Sequence, residues 1–380
     1  MEKVQLGTLV KITSGFAFKS NLFNTDKKGL PLIRIRDVVR GYSDTYYDGE
    51  YKAEYLIQKG DALIGMDGEF NLALWNSGKA LLNQRVCKIQ SIDERLDQNY
   101  LIRFLPKALK DIEDRTPFVT VKHLSVKDIN NIQIPLPPLA EQRRIASILD
   151  QADELRQKRQ QAIEKLDQLL QATFIEMFGD PVSNPKGWEK VKFEDEVEFL
   201  TGFAFKSADF KDSGIKLCRG INILPNTLDW NDTAYWNEKE LEKYSRFKIL
   251  QNDILVAMDR PWISTGFKIT LVKENDPNML LVQRVARLRV KESFGANFLF
   301  QILSMPEFKK HCRITETTVP HISPTDFKSF DLIKPANHMI EKFEKIAKLI
   351  NIQKDKMRDS EMQNDNLFAS LQNRAFNGTL

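Results

Sequence analysis

The chain has 380 residues, 42% hydrophobic and 28% charged, a globular balance that excludes a disordered chain and suits two domains. No apolar stretch approaches a bilayer span, and Met1-Glu2-Lys3-Val4-Gln5 lacks the apolar core of a signal peptide, so a cytoplasmic protein without a membrane partner is expected. The net charge of +4 does not separate nucleic-acid binders from other proteins, and Cys87, Cys218 and Cys312 fit no zinc or disulfide spacing.

In chain order, the first 138 residues hold short β-like runs such as Leu32-Ile33-Arg34-Ile35, broken by Gly, Asn, Asp and Pro, and read as a globular α+β domain. Pro137-Pro138 then opens a helix that runs to about Phe178, where Gly179-Asp180-Pro181 stops it. A second domain covers 179–334, with runs such as Phe267-Lys268-Ile269-Thr270-Leu271-Val272. A second helix lies within 335–380, from about Asn337 to Phe376, ending at Asn377-Gly378.

The second half repeats the first. Gly15-Phe16-Ala17-Phe18-Lys19-Ser20 recurs exactly as Gly202-Phe203-Ala204-Phe205-Lys206-Ser207, and Glu2-Lys3-Val4 recurs as Glu189-Lys190-Val191 at the same offset of 187. Asp61 to Asp67 matches Asp253 to Asp259, and Leu81-Leu82-Asn83-Gln84-Arg85-Val86 matches Leu280-Leu281-Val282-Gln283-Arg284-Val285. Thr120-Val121-Lys122-His123-Leu124-Ser125 matches Thr318-Val319-Pro320-His321-Ile322-Ser323, by which point the offset is 198. The offset grows because the second copy carries loop insertions. A pseudo-twofold internal repeat of one domain-plus-helix unit follows.

Both helices carry a seam spaced alternately by three and four residues. In the first it is read through Ile145, Ile148, Ala152, Leu155, Arg159, Ala162, Leu166, Leu169 and Thr173. In the second it is read through Phe343, Ile346, Ile350, Gln353, Met357, Ser360, Asn364, Leu367 and Leu371. This is a coiled-coil pattern. A helix of ~40 residues is about 60 Å long at ~1.5 Å per residue and needs a partner. The other long helix is the nearest one, and antiparallel pairing is expected.

Three junctions carry a family resemblance. Ile134-Pro135-Leu136-Pro137-Pro138-Leu139-Ala140-Glu141-Gln142-Arg143-Arg144-Ile145 resembles the entry to the central helix of specificity subunits of type I restriction-modification systems. Met177-Phe178-Gly179-Asp180-Pro181, with Asn184-Pro185-Lys186-Gly187-Trp188, resembles the entry to their second recognition domain. Leu371-Gln372-Asn373-Arg374-Ala375-Phe376-Asn377-Gly378 resembles their C-terminal end. The second copy departs from the pattern at Pro335-Ala336-Asn337-His338.

The resemblance implies two homologous target recognition domains with small mixed or antiparallel sheets, joined by two long helices in an antiparallel coiled coil. It implies a non-catalytic subunit that reads a bipartite, asymmetric site in double-stranded DNA. Two methylation subunits would dock on the helices, and ATP-dependent restriction subunits would complete the complex. S-adenosylmethionine, ATP and Mg would sit on those partners. The residues agree: no glycine-rich phosphate loop is present, Pro137-Pro138 lacks the preceding Asn or Asp of an adenine-methyltransferase tetrapeptide, and the four histidines form no metal or nucleophile pair. Two other readings are a duplicated coiled-coil scaffold for protein partners and a self-contained DNA-modifying enzyme.

DNA reading needs phosphate contacts for affinity and base-edge contacts for sequence. Residues shared by both copies cannot explain why two halves read different bases, so they are scaffold or phosphate contacts. Lys19 and Lys206 are shared, as are Arg34 and Arg219, for which a phosphate contact and a structural salt bridge are equal alternatives. Arg85 and Arg284, flanked by strands, read as scaffold. Lys122 faces Pro320 and is outside the shared frame. Arg36 faces Ile221 and Arg260 faces Gly68, which makes Arg36 and Arg260 the candidates for base contact.

Overall fold

The computed structural model describes residues 2–116, 121–291, 293–312 and 320–377, and within the second long helix it leaves out the side chains at 359, 361–366, 369 and 377. Thr120, Thr318, Val319, Gly378 and the side chain of Asn364 therefore lie outside the described residues. The chain divides into two compact units, residues 1–160 with 359–380, and residues 161–358.

In the first unit, strands Val10–Ser14, Val86–Ser91, Ala62–Gly65 and Leu72–Leu74 form an antiparallel sheet in that spatial order. A second, mixed sheet is built around Leu30–Ile33, which runs parallel to Ala80–Leu82. The second unit repeats the plan. Its antiparallel sheet runs Val197–Thr201, Val285–Val290, Ile254–Ala257, Ile269–Leu271, and Ile215–Cys218 pairs in parallel with Met279–Leu281. One side of each central sheet packs on a helix, Gln98–Arg115 in the first unit and Ala296–Ser304 in the second.

The identical GFAFKS elements have a steric reason to begin with glycine. A Cβ on Gly15 would stand 2.0 Å from the Asn83 carbonyl oxygen, and one on Gly202 would stand 2.1 Å from that of Val282. No other residue allows this approach. The element then hydrogen-bonds along the facing turn: Phe16 N–H to Leu82 O and Gln84 N–H to Phe16 O, with Phe203 to Leu281 and Gln283 to Phe203 in the other unit.

The long helices span Leu139–Phe178 and Asn337–Asn377. Each unit takes half of each. In the first unit, Ile145, Ala146 and Leu149 join Ala375 and Phe376 in one core. Arg156 lies 5.1 Å from the centre of the Phe368 ring, and Arg159 Nη1 donates to Ser360 O at 3.3 Å. In the second unit, Leu170, Phe174 and Phe178 pack with Ile340, Phe343, Ala347 and Ile350, and Lys354 is ion-paired with Asp167. In both units the partner's numbers fall as the first helix's numbers rise, so the helices run antiparallel.

The buried line along them corrects part of the expected seam. Ile145, Leu166, Phe343, Ile350, Met357 and Leu371 are buried or half-buried on it. Leu155, Leu169 and Leu367 are not, with 51%, 52% and 54% exposure. The line passes one residue later, through Leu149, Arg156, Ile163 and Leu170, and through Ala347, Lys354 and Phe368. Ile148 and Ile346 are half-buried beside Leu149 and Ala347. The slip has a physical cause: Arg156 and Lys354 lay their aliphatic stems on the seam and satisfy their charged ends at its edge.

Candidate nucleic-acid interface

The cations expected to contact DNA fall into two groups. Arg219 and Lys122 spend side-chain hydrogen bonds inside the protein, and Arg34 lies at a helix cap beside an aromatic ring. Arg34 caps the short helix Ile35–Arg40: its N–H donates to Asp37 Oδ2 at 3.0 Å, and its guanidinium lies 5.5 Å from the Phe23 ring centre. Arg219 occupies the equivalent place, its N–H donating to Asn222 Oδ1, while its Nη2 donates to Asp232 O at 2.6 Å and Oδ1 at 2.9 Å. Of the two alternatives for this pair, the structure shows Arg219 in a salt bridge. Lys122 Nζ donates to Glu113 O at 2.6 Å, at the end of helix Gln98–Arg115.

The other four are exposed: Lys19, Lys206, Arg36 and Arg260. Lys19 and Lys206 each precede a one-turn 3-10 helix at the end of the GFAFKS element. Arg36 Nε lies 3.7 Å from Asp37 Oδ1, its one ion-pair partner among the described residues. Arg260 stands where the first unit has Gly68. Gly68 N–H donates to Lys122 O at 2.9 Å, and Arg260 N–H donates to Pro320 O at 2.8 Å. Both backbones are left-handed, with φ of 76° and 45°. An arginine there costs roughly 1–2 kcal/mol that glycine avoids. Burial, and next the charge of Arg260, pull the Lys268 ammonium below its ordinary range. Arg260 and Lys268 share this surface with Asp259, whereas Gly68 offers no side chain.

Arg85 and Arg284 do not lie within strands, although their apolar flanks suggest it. Each ends a three-residue turn, one place before strands Val86–Ser91 and Val285–Val290, at φ of 68° and 66°. Their side chains are 59% and 67% exposed. Each turn joins strands of two different sheets, Ala80–Leu82 to Val86–Ser91 and Met279–Leu281 to Val285–Val290, and an arginine in the sequence gives no sign of the left-handed backbone there.

A family model described as the type I restriction modification DNA specificity domain matches residues 1–165 and again 185–356. The chain belongs to the type I restriction-modification DNA specificity family. It is 34% identical over 313 residues to the type I restriction enzyme EcoBI specificity subunit of Escherichia coli, covering 75% of this chain and 65% of that protein, somewhat under two thirds of its length. It is 26% identical over 385 residues to the MjaVIII specificity subunit of Methanocaldococcus jannaschii, covering 93% of this chain and 87% of that one. Its fold is similar to the crystal structure of the type I restriction-modification S subunit from M. genitalium, with a TM-score of 0.58, 14% identity, and 99% and 96% of the two chains covered.

Among the described residues no three His, Cys, Asp or Glu side chains are grouped to hold a metal ion, and no helix is long and apolar enough to cross a membrane. The three cysteines are buried and unpaired, and burial pushes each thiol up to about 12, far from a reactive thiolate.

Proposed function

We propose that this chain is the non-catalytic reading subunit of a type I restriction-modification complex in the cytoplasm. Each globular domain contacts one half of a split, asymmetric site in duplex DNA. The paired helices set the separation of the halves and dock two methylation subunits; restriction subunits join that core. S-adenosylmethionine, ATP and Mg belong to the partners in this reading. The observation that carries it is the set of exposed cations shared by the two units, Lys19 with Lys206 and Arg85 with Arg284, beside positions that differ, where Arg260 faces Gly68 and Arg36 faces Ile221. A shared frame supplies phosphate contacts, and its differences supply different base contacts.

The test is reconstitution with methylation subunits, followed by mapping of methylated sites. A split site is expected, along with a complex holding two methylation subunits. Four residues inserted near Gln168 would lengthen the helix by about 6 Å and place a stutter in the seam. The mapped spacer should then grow by one or two base pairs with both half-sites unchanged. No affinity for DNA with methylation subunits present would favour the protein scaffold, and methyl transfer by the isolated chain would favour a self-contained enzyme.

A further inference from the structure

We propose that Arg85 and Arg284 are a matched pair of phosphate anchors, one per domain, that seat each domain on the DNA backbone without reading sequence. The inference rests on the DNA-reading function above and assigns it to residues whose flanks suggest scaffold.

Each arginine is held in place from two sides. Its own carbonyl accepts the N–H of Met66 or Met258 at 2.9 Å, and the preceding Gln84 or Gln283 N–H donates to Phe16 or Phe203 O at 2.9 Å. The turn is therefore fixed between the GFAFKS element and the loop that follows strand Ala62–Gly65 or Ile254–Ala257. Glycine or asparagine would occupy a left-handed position at less steric cost. Two copies that differ in loop length and in many residues both place arginine there, which points to a use for the side chain.

Among the described residues each guanidinium has one ion-pair partner. Nε of Arg85 lies 3.5 Å from Asp67 Oδ2, and Nε of Arg284 lies 3.7 Å from Asp259 Oδ2. Asp67 is itself steadied by His123, whose Nδ1 is 2.7 Å from its Oδ1. The carboxylate faces the Nε edge. Among the described residues, the terminal amino groups of both arginines have no hydrogen-bond partner. A pre-oriented guanidinium with its outer edge free matches the paired oxygens of a phosphodiester. Because the left-handed turn and the arginine–aspartate contact recur in both domains, they cannot distinguish two half-sites. The neighbouring position can: Gly68 and Arg260 directly follow Asp67 and Asp259. Each anchor thus sits beside a residue free to vary.

The test uses the full chain assembled with methylation subunits, a duplex carrying its mapped site, and a scrambled duplex. Binding is measured across a salt series for Arg85→Gln, Arg284→Gln and the double variant. Each single change is expected to weaken both duplexes by the same factor, about tenfold at low salt, and to lower the salt slope by about one; the double variant should lower it by about two. Methylated sites should be unchanged. Arg85→Gly separates anchoring from folding: it suits the left-handed turn, so thermal stability should hold while the salt slope falls as in Arg85→Gln. Arg85→Lys should retain the slope. Unaltered affinity and slope in the double variant would overturn the proposal, as would relaxed recognition of a base in one half-site. Failure of the wild-type complex to bind either duplex would instead overturn the DNA-reading function.

Discussion

The two units fasten their long helices by different chemistry at almost the same place. In the first, Gln142 is fully buried; its Oε1 accepts the Asp97 N–H at 2.8 Å, and its Nε2 donates to Arg95 O at 2.7 Å and Pro137 O at 2.8 Å. In the second, the equivalent position is the apolar Ile340. The polar grip moves one turn along to Glu344, which accepts from Phe298 N–H at 2.8 Å and from Asn297 Nδ2 at 2.7 Å. Each grip serves the start of the helix that packs on the central sheet, where backbone N–H groups lack helical partners. Repeat units keep the need and exchange the residue that meets it. The altered helix entry at Pro335-Ala336-Asn337-His338 is one side of this exchange.

The comparison is broken most completely by cutting the chain near Asp180. Phe178 and Phe376 are equivalent: Phe178 packs 4.8 Å from Phe298, and Phe376 packs 5.5 Å from Tyr100, ring centre to ring centre. A fragment of residues 1–180 keeps the first domain and helix but lacks Phe368, Leu371, Ala375 and Phe376 from its core. The 161–178 segment of a second copy carries the matching residues. The fragment is therefore expected to form a homodimer and, with methylation subunits, to modify a palindrome of the first half-site. Sedimentation and methylation mapping test this; a folded monomer would refute it.

Next in size are single core changes. Phe178→Ala and Phe376→Ala should each cost about 3–5 kcal/mol, the first loosening the second unit and the second loosening the first. Hydrogen exchange read separately over residues 1–116 and 185–312 would show the crossed pattern. Gln142→Ala strands one N–H and two carbonyls in a buried place, at a cost of about 3 kcal/mol. A change below about 0.5 kcal/mol in chemical denaturation would mean that water replaces the amide.

Arg260→Ala sharpens the functional side of the comparison. One half-site should relax at one position, with a loss of about 1–3 kcal/mol in discrimination, while the half-site read beside Gly68 is untouched. Equal weakening on all sequences would make Arg260 a phosphate contact instead. The smallest expected effect concerns pH. Burial raises the Glu344 pKa in the folded state, partly offset by its hydrogen bonds from Asn297 and Phe298. Its contribution to stability is thus fully present below the unfolded carboxylate range and lost as pH rises through the raised folded value. Glu344→Gln should flatten that decline, measured by denaturation of the full chain from acid to neutral pH. Gln142 titrates nowhere, so the first unit should show no matching change at its helix grip.

Much of the fold is legible in the amino-acid sequence alone. An exact six-residue repeat whose glycine is required by a close backbone approach, proline entries and glycine stops mark the units and the two helices. The seam is legible only to within one residue. Ile148-Leu149 and Leu169-Leu170 are adjacent apolar pairs that periodicity alone cannot order, and Leu155-Arg156 favours the wrong member because a buried stem does not register as hydrophobic. The site is less legible still. Arg219 and Lys122 have the composition of DNA contacts but spend side-chain hydrogen bonds within the protein, and only tertiary neighbours reveal that. Arg85 and Arg284 resemble scaffold because strand residues surround them, although the backbone turns them outward.

The placement of Phe376 in the first unit bears on how the chain is made. A ribosome releases residues in order, and the first domain emerges with its sheets and with Tyr100 and Phe104 in place to be covered. Their aromatic cover, Phe376, lies more than two hundred residues downstream. At about 5–20 residues per second, the first domain waits on the order of ten to fifty seconds for its last core side chain, while the second domain is still being synthesised. During that interval its apolar helix face is open to a chaperone or to a neighbouring nascent copy.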